Sequence, residues 1–494
     1  MGMNRDNIET FTQPLWSHQR KALLEAKNYH ALFFDPGCGK SRTAIELYNR
    51  IQGFPKILIV APLNVCRNWL NELEKFLAVK YEARVAAGQT KAKKLAAIAE
   101  FCNSDTEDKG ITQVLIVNTE SFRAKEYKAA IACSNAKFVI VDESHNFKGP
   151  ASQQTKGLME VLEVLNPRHL YLLTGTPAPQ GELDLWSTFK LLKVTQENYF
   201  VWRKRYFEDK NIRRLNTKGY FPDWVIRPSA KEEFRKLLES CSITARKNEV
   251  LDLPPLLQTN VYCELSPEQR KHYDTMEEFL FAVDDEGNEL NAANVLSRTL
   301  RLQQIIAGII GDGFIKDNPR LKALEYAIEQ TNGEQFIIWT IFRPTYKQLG
   351  EFLDERGITF GMLTGEQSAE ERNQTMQAFQ AGKIRALIAN PKAGGVGVNL
   401  TAASYAIYYT KGYNLVDDDQ SQARNYRGGS EIHKRITRID IIAEDTIDEE
   451  IADALRRKAA VQDFILGLKK RKEIKNGQHK RQRTSKSHCE SSRA

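Results

Sequence analysis

Gly37-Cys38-Gly39-Lys40-Ser41 lies between a short apolar run, Ala31 to Phe34, and a helical pattern containing Thr43, Ala44, Ile45 and Leu47. Strand, glycine turn and helix in that order let backbone N–H groups face a phosphate, and the helix N-terminus favours negative charge. Lys40 would reach the terminal phosphates and the Ser41 hydroxyl would hold magnesium. The match is partial: a full phosphate loop has glycine five residues before Gly39, where this chain has Phe34. A tight strand-to-helix turn with an exposed lysine is the plainer account of the same residues. A second apolar run, Phe138 to Val141, ends in Asp142-Glu143-Ser144-His145. Beside a phosphate loop, Asp142 could hold magnesium through water, and Glu143 could orient and deprotonate an attacking water. Acidic pairs are also common in surface turns. His145 could sense the nucleotide or contact the next motif. That motif is Thr174-Gly175-Thr176-Pro177, after the run Leu170 to Leu173. Its two hydroxyls could connect the acids to a bound nucleic acid, or simply cap a turn before a helix.

Later in the chain, Gln420, Arg424 and Arg427 are spaced by four and three, which places them on one helical face. A guanidinium suits phosphate oxygens and could neutralise charge growing on a transferred phosphoryl group; a solvated basic face is the alternative. Near the start, Gln19 carries a side-chain amide that can donate and accept at once, as an adenine edge requires, although a surface glutamine is commonplace. After the run Ala386 to Ala389 comes Asn390-Pro391-Lys392-Ala393-Gly394-Gly395-Val396-Gly397-Val398-Asn399. Glycines there permit close backbone approach to a phosphate or to a neighbouring lobe, or mark an ordinary turn.

The elements needed to position these groups follow from the apolar pattern. Lys56 to Ala61, ended by Pro62, and Val114 to Thr119 are further buried-strand runs, and Trp69, Leu70, Leu73 and Phe76 recur at helical spacing. Alternating strands and helices predict an open α/β sheet that binds ligands at the carboxyl ends of its strands, so Pro62, Asn118 and Thr119 are site candidates, with loop capping at even odds. The alternation resumes with Phe336 to Trp339, Tyr346 to Leu353, Gly361 to Gly365 and Ala386 to Ala389, and Ala406 to Tyr409 reads as the last core strand. The expected domains are therefore an ATP-binding lobe over 1–195, a helical, basic and aromatic insertion with linker over 196–252, a second lobe over 253–468, and a disordered tail over 469–494. The insertion is marked by Trp202, Arg203, Arg205, Tyr206, Phe207, Arg213, Arg214, Tyr220, Trp224 and Arg227. Those residues suit phosphate contact with base stacking, or equally an aromatic core of the insert's own.

Ten Lys and Arg but only two Asp and Glu fall within 469–494, so the whole net charge of +8 belongs to that end and the remaining residues balance. The reading favoured for it is a phosphate-seeking arm rather than a solubilising end. The cysteines at 38, 66, 102, 133, 241, 263 and 489 make no Cys-x-x-Cys pair, which argues against zinc or a disulfide framework and for a reducing, intracellular setting (cytoplasm, nucleoid or nucleus). The polar start, Met1 to Thr10, has no secretory apolar core, and no run is long enough to span a membrane.

Taken as a set, Gln19, Gly37–Ser41, Asp142–His145 and Thr174–Pro177 resemble the first-lobe motifs of superfamily-two helicases and translocases. The Asp-Glu-Ser-His box and Leu173-Thr174-Gly175-Thr176-Pro177-Ala178-Pro179-Gln180 resemble the Swi/Snf-type branch, and the resemblance covers about residues 12 to 460. The stretch with Gly394, Gly395 and Asn399 is similar to the family's fifth motif, which contacts the nucleic-acid backbone, and Gln420, Arg424 and Arg427 to its sixth, with Arg427 the finger. That motif often continues Ile-Gly-Gln, where this chain has Gly428-Gly429-Ser430. The resemblance implies two tandem RecA-like α/β lobes, a P-loop NTPase, facing each other across an ATP cleft. It further implies ATP and Mg2+ as cofactors, and closure of the lobes driving movement on DNA, on the duplex through sequence-independent backbone contacts. An RNA-directed helicase of the same superfamily and a non-catalytic DNA clamp share parts of the pattern; a P-loop kinase fits least, having no need of a second lobe with paired arginines.

Overall fold

Strands and helices alternate along the chain in two series, each building one parallel sheet. A computed structural model describes residues 14–465 except 52, 64, 105–109, 212–221, 251, 283–291, 312 and 393–398, with backbone alone at 248, 278–282, 292–298, 369 and 459–465. Gly394 and Gly395, the basic end 469–494, and Arg213, Arg214 and Tyr220 of the expected insertion lie outside the described residues. The described chain divides into two units, one running to Arg246 and resuming at Lys458, the other Lys247–Arg457. No helix among the described residues is long and apolar enough to cross a membrane.

The first unit contains β1 (Tyr29–Phe34), β2 (Lys56–Ala61), β3 (Tyr81–Ala86), β4 (Thr112–Asn118), β5 (Phe138–Val141), β6 (His169–Leu173), β7 (Phe207–Asp209), β8 (Trp224–Ile226) and β9 (Ser242–Ala245). Seven of them form a sheet in the order β3-β4-β2-β5-β6-β1-β9, with every pairing parallel. Helices cover both faces of such a sheet, so its inner strands are buried on both sides and read as apolar runs; β4 and β5 are buried throughout. Helix α1 (Ser17–Glu25) precedes β1, α2 (Lys40–Ile51) follows it, and α3 (Cys66–Phe76) follows β2. In α3, Cys66, Trp69 and Leu73 are the buried positions, on one helical face.

Of the stretch 196–252 expected as a separate insertion, the part up to Arg246 falls in this unit and the rest in the second. Trp202, Tyr206, Phe207 and Phe234 join Phe189 and Leu185 in the first lobe's own core. Trp202 lies 5.2 Å from Phe207 and 6.0 Å from Phe234 between ring centroids, which removes these aromatics from any stacking platform. Among the described residues of this stretch Phe200 is 69% exposed, and Arg203 is laid over the Trp224 ring at 4.1 Å. The same stretch supplies β9, whose Ile243 pairs in register with Leu32 of β1.

The second unit contains β10 (Leu256–Cys263), β11 (Ile309–Ile310), β12 (Gly313–Phe314), β13 (Phe336–Trp339), β14 (Phe360–Leu363), β15 (Ala386–Ala389), β16 (Tyr405–Tyr408) and β17 (Ile436–Ala443). Its sheet runs β10-β17-β16-β13-β15-β14, again all parallel. The expectation that the strand near Ala406–Tyr409 is the last in the core is corrected here. β17 follows it and lies between β16 and β10. Thr437, Arg438 and Asp440 interrupt the apolar run of β17, which hid it from a hydrophobicity reading.

Candidate nucleotide-binding site

The first sheet brings three loops together. β5, β6 and β1 are neighbours and parallel. Their carboxyl ends therefore point the same way, and the loops beginning at Asp142, Thr174 and Asp35 leave from one edge, where open α/β sheets hold ligands.

The phosphate-loop backbone turns at Gly37 (φ 90°) and Gly39 (φ 74°), a left-handed conformation that side chains rarely adopt. The Gly39 carbonyl accepts from the Thr43 amide (3.0 Å), the Thr43 hydroxyl (2.8 Å) and Gln19 Nε2 (3.3 Å). A Cβ at Gly39 would lie 2.4 Å from that glutamine nitrogen, so the close approach requires glycine. Gln19 is 1% exposed, and its Oε1 accepts from the Trp16 amide at 3.0 Å. In this structure its amide, expected at an adenine edge, bridges the start of α1 to the phosphate loop. His18 adds a second clamp from Nε2 to the Cys38 carbonyl at 2.8 Å, and Cys38 itself is buried. Lys40 opens α2 and its Nζ donates to the Phe34 carbonyl at 2.8 Å. The adjoining Ser41 is half-buried.

Asp142 is 6% exposed. Its Oδ2 accepts from the Trp69 indole at 3.0 Å and its Oδ1 from the Glu143 amide at 2.9 Å. Burial, and then the charge of Glu143, push its carboxyl above the ordinary range, against the opposing Lys40 ammonium and the indole bond. A cation placed against this carboxylate would restore its charge. Glu143 has φ 46° and ψ 50°, left-handed and unusual for a glutamate. Its carbonyl is held by the Asn146 amide and side chain, both at 3.0 Å. That turn points the Glu143 side chain back toward His145, whose Nδ1 lies 3.3 Å from Glu143 Oε2. The same nitrogen is 3.0 Å from Thr174 Oγ1 and 3.5 Å from Thr176 Oγ1, and the Thr176 amide donates to Thr174 Oγ1 at 3.1 Å. His145 thus joins the acid box to the threonine turn. Gly175 closes the set, since a Cβ there would meet Pro36 Cδ at 2.8 Å and the Phe34 carbonyl at 3.2 Å.

Trp69 belongs to this candidate site, whereas the sequence reading noted it only as part of a helical pattern. Its signal was that a buried indole needs a partner for its N–H. Trp69→Phe keeps the ring packing and removes that donor. We expect a loss of about 1.5–3 kcal/mol in urea unfolding, the range for a hydrogen bond to a charged group. A midpoint equal to wild type at unchanged m-value would mean the bond is not a net contributor. Arg246 is a second missed residue. It directly follows β9 and its Nη1 reaches Asp35 of the phosphate loop at 3.2 Å.

Of the other candidates at the first sheet's edge, two are buried and Pro62 is half-buried. Asn118 and Thr119 are 4% and 3% exposed. Asn118 Oδ1 accepts from Lys94 Nζ at 3.1 Å and from Ser121 Oγ at 2.9 Å, and its amide donates to Glu120 at 2.6 Å. The Pro62 carbonyl accepts from the Val65 amide at 2.8 Å as the chain enters α3. These three shape loops. In the second unit, Asn399 is exposed and its Oδ1 accepts from the Thr401 amide at 3.3 Å. Gln420 lies in the helix Leu415–Gln422, but Arg424 and Arg427 do not: the helix ends before them and the expected shared helical face is not formed. The Arg424 amide bonds instead to the Ser421 carbonyl at 3.1 Å, and the buried Asn425 side chain reaches the Ala403 carbonyl at 3.4 Å, drawing the chain into a turn.

A family model described as SNF2-related domain matches residues 16–308, more than half of the chain. The chain belongs to the SNF2-related family. A second model, helicase conserved C-terminal domain, matches residues 319–429. The chain is similar to an uncharacterized ATP-dependent helicase of Mycoplasma genitalium, 26% identical over 452 residues that make up 88% of this chain and 40% of that protein. It is also similar to the chromodomain-helicase-DNA-binding protein 1-like of Danio rerio, at 25% over 448 residues, 87% of this chain and 41% of the relative. The chain therefore spans well under half the length of these curated relatives. Among solved structures it matches the Sulfolobus solfataricus SWI2/SNF2 ATPase core in complex with dsDNA, with TM-score 0.42 and 22% identity over 95% of this chain and 96% of that one.

Proposed function

We propose that this SNF2-related chain is a DNA-dependent ATPase that couples ATP hydrolysis to translocation on, or remodelling of, duplex DNA. The carrying observation is the meeting of phosphate loop, acid box and threonine turn at the ends of three adjacent strands, joined through His145 and Gly175. The names of the relatives, one an ATP-dependent helicase and one a helicase-DNA-binding protein, support the same reading.

In this reading the backbone of Gly37, Cys38 and Gly39 with Lys40 binds the ATP phosphates, and Ser41 and Asp142 hold Mg2+. One hydroxyl and one buried carboxylate suit that ion, which prefers a few protein ligands completed by phosphate oxygens and water. No cluster of three His, Cys, Asp or Glu among the described residues offers a full protein cage instead. Bound magnesium would offset charge on the phosphates. Glu143 orients the attacking water and takes its proton. His145, in reach of Glu143 and both threonines, relays the state of the acid box to the Thr174–Thr176 turn. Arg424 and Arg427 donate to the transferred phosphoryl group, with Gln420 coupled to them. Asn399, with Gly394 and Gly395, contacts the nucleic-acid backbone, while Pro62, Asn118 and Thr119 set the loops that present neighbouring groups to it.

The test is steady-state ATP hydrolysis with no nucleic acid, duplex DNA, single-stranded DNA or RNA. Strong stimulation by duplex DNA is expected, weakening as salt rises, because phosphate contacts release counterions. Stimulation by RNA alone would keep the ATPase and overturn the substrate. Tight DNA binding with no turnover under any condition would replace the motor by a clamp.

A further inference from the structure

The ATPase reading rests partly on two arginines that lie beyond a helix end. A turn is a poor platform for a group that must be placed accurately, so whatever fixes the preceding helix matters. That helix, Leu415–Gln422, is tied down by Arg438 of β17 together with Tyr408 of β16. Arg438 is 4% exposed. Its guanidinium forks onto Asp418, Nη1 to Oδ2 at 3.0 Å and Nη2 to Oδ1 at 2.7 Å. Nη1 also donates to Gln422 Oε1 at 3.1 Å, and Nε to Asp440 Oδ1 at 3.0 Å. The plane lies over the Tyr408 ring, 4.0 Å from its centroid, and the Tyr408 hydroxyl is 2.9 Å from Ser421 Oγ. Lys411 Nζ donates to the other oxygen of Asp440 at 2.7 Å. Three helix positions, 418, 421 and 422, are thus fixed against β16 and β17 just before Arg424.

We propose that Arg438 is a positioning residue for phosphoryl transfer: it sets the register of helix 415–422 on the sheet and so holds Arg424 and Arg427 where they act. The inference rests on the ATPase reading. A buried ion pair is weak evidence of stabilisation, and its best-attested use is to fix one arrangement among several. Arginine is required because one planar fork satisfies Asp418 twice while reaching Gln422 and Asp440 and stacking on a ring, which a lysine ammonium cannot do. Nothing in the motif spacing marked Arg438, since it lies outside the Gln420–Arg427 stretch.

The experiment uses the full chain with ATP, Mg2+ and duplex DNA. Arg438→Lys keeps the charge and loses the fork. The double variant Asp418→Leu with Arg438→Met removes both charges, so that no unpaired carboxylate is left to unfold the lobe. For each, kcat, KM, binding of a fluorescent ATP analogue with Mg2+, and the thermal midpoint are measured, alone and with Arg427→Ala. Both variants should lose about ten- to a hundredfold in kcat, the scale of a misplaced group, with KM and analogue affinity within about twofold. Arg427→Ala should then cost far less in their background than in wild type, because residues acting as a unit are not additive. A shifted midpoint with kcat per folded molecule near wild type would overturn the inference, as would losses that multiply independently. With an active wild type, either result overturns this inference alone; a wild type without turnover overturns the ATPase reading and the inference with it.

Discussion

Replacing Lys40 by alanine is expected to abolish ATP turnover while leaving the fold intact. Lys40 is the first residue of α2, and in the present structure its ammonium bonds to the Phe34 carbonyl at 2.8 Å. That is one part-buried bond to a backbone carbonyl, so its loss should shift the unfolding midpoint by only a few degrees. The turn itself is held by other groups. The Gly39 carbonyl takes three donors, and His18 holds the Cys38 carbonyl. Turnover is a different matter. A cation beside the transferred phosphate offsets charge that grows in the transition state, and removing one such donor costs about a hundredfold or more. Lys40 is also the charge that opposes the upward shift of Asp142, so its removal should push that carboxyl higher still. Steady-state hydrolysis with duplex DNA, paired with a thermal midpoint, checks both halves. Wild-type turnover in Lys40→Ala would return Gly37–Ser41 to an ordinary strand-to-helix turn.

Glu143→Gln should be nearly as damaging to turnover but spare ATP binding. The substitution keeps the shape of the side chain and most of its contacts, including the left-handed backbone fixed by Asn146. It removes the basic oxygen, and a positioned general base contributes about 10²–10⁴-fold. The local structure argues that this glutamate is placed for a task. A non-glycine residue held left-handed costs of order 1–3 kcal/mol and persists only where its surroundings impose it. Here the imposition brings Oε2 to 3.3 Å from His145, which also touches Thr174. The variant should bind a fluorescent ATP analogue with Mg2+ as wild type does and hydrolyse ATP at least about a hundredfold more slowly. Near-normal hydrolysis would remove Glu143 as the base; lost binding would mean it holds the nucleotide or its metal instead.

These two variants probe loops that are distant in sequence and one strand apart in the sheet. The phosphate loop follows β1 and the acid box follows β5, with β6 and its threonine turn between them. His145 touches both the acid box and the threonine turn, so on the proposed reading its substitution should separate hydrolysis from coupling.

Much of this was determined by the sequence alone. Inner parallel strands are covered on both faces, so Ile57–Val60, Phe138–Val141 and Phe336–Trp339 must be apolar throughout, and they announce themselves as strands. Chemistry at the carboxyl ends of strands then places Lys40, Asp142 and Thr174 without coordinates. What tertiary structure decided is what local order cannot encode. The edge strand β3 mixes Glu82 and Arg84 into its run, and β9 is a short Ser-Ile-Thr-Ala; neither has a periodicity that distinguishes it from loop. β17 was hidden because Arg438 and Asp440 are charges whose burial is offset by partners elsewhere in the chain. Gln19 carries an amide fit for a base, yet spends it on Gly39, and Trp69 carries an apolar ring whose single N–H belongs to Asp142. Trp69 and Asp142 are 73 residues apart, and Arg438 and Asp418 are 20 apart. A side chain's type states what it needs; which distant group supplies it is settled only when the sheet order brings the two together.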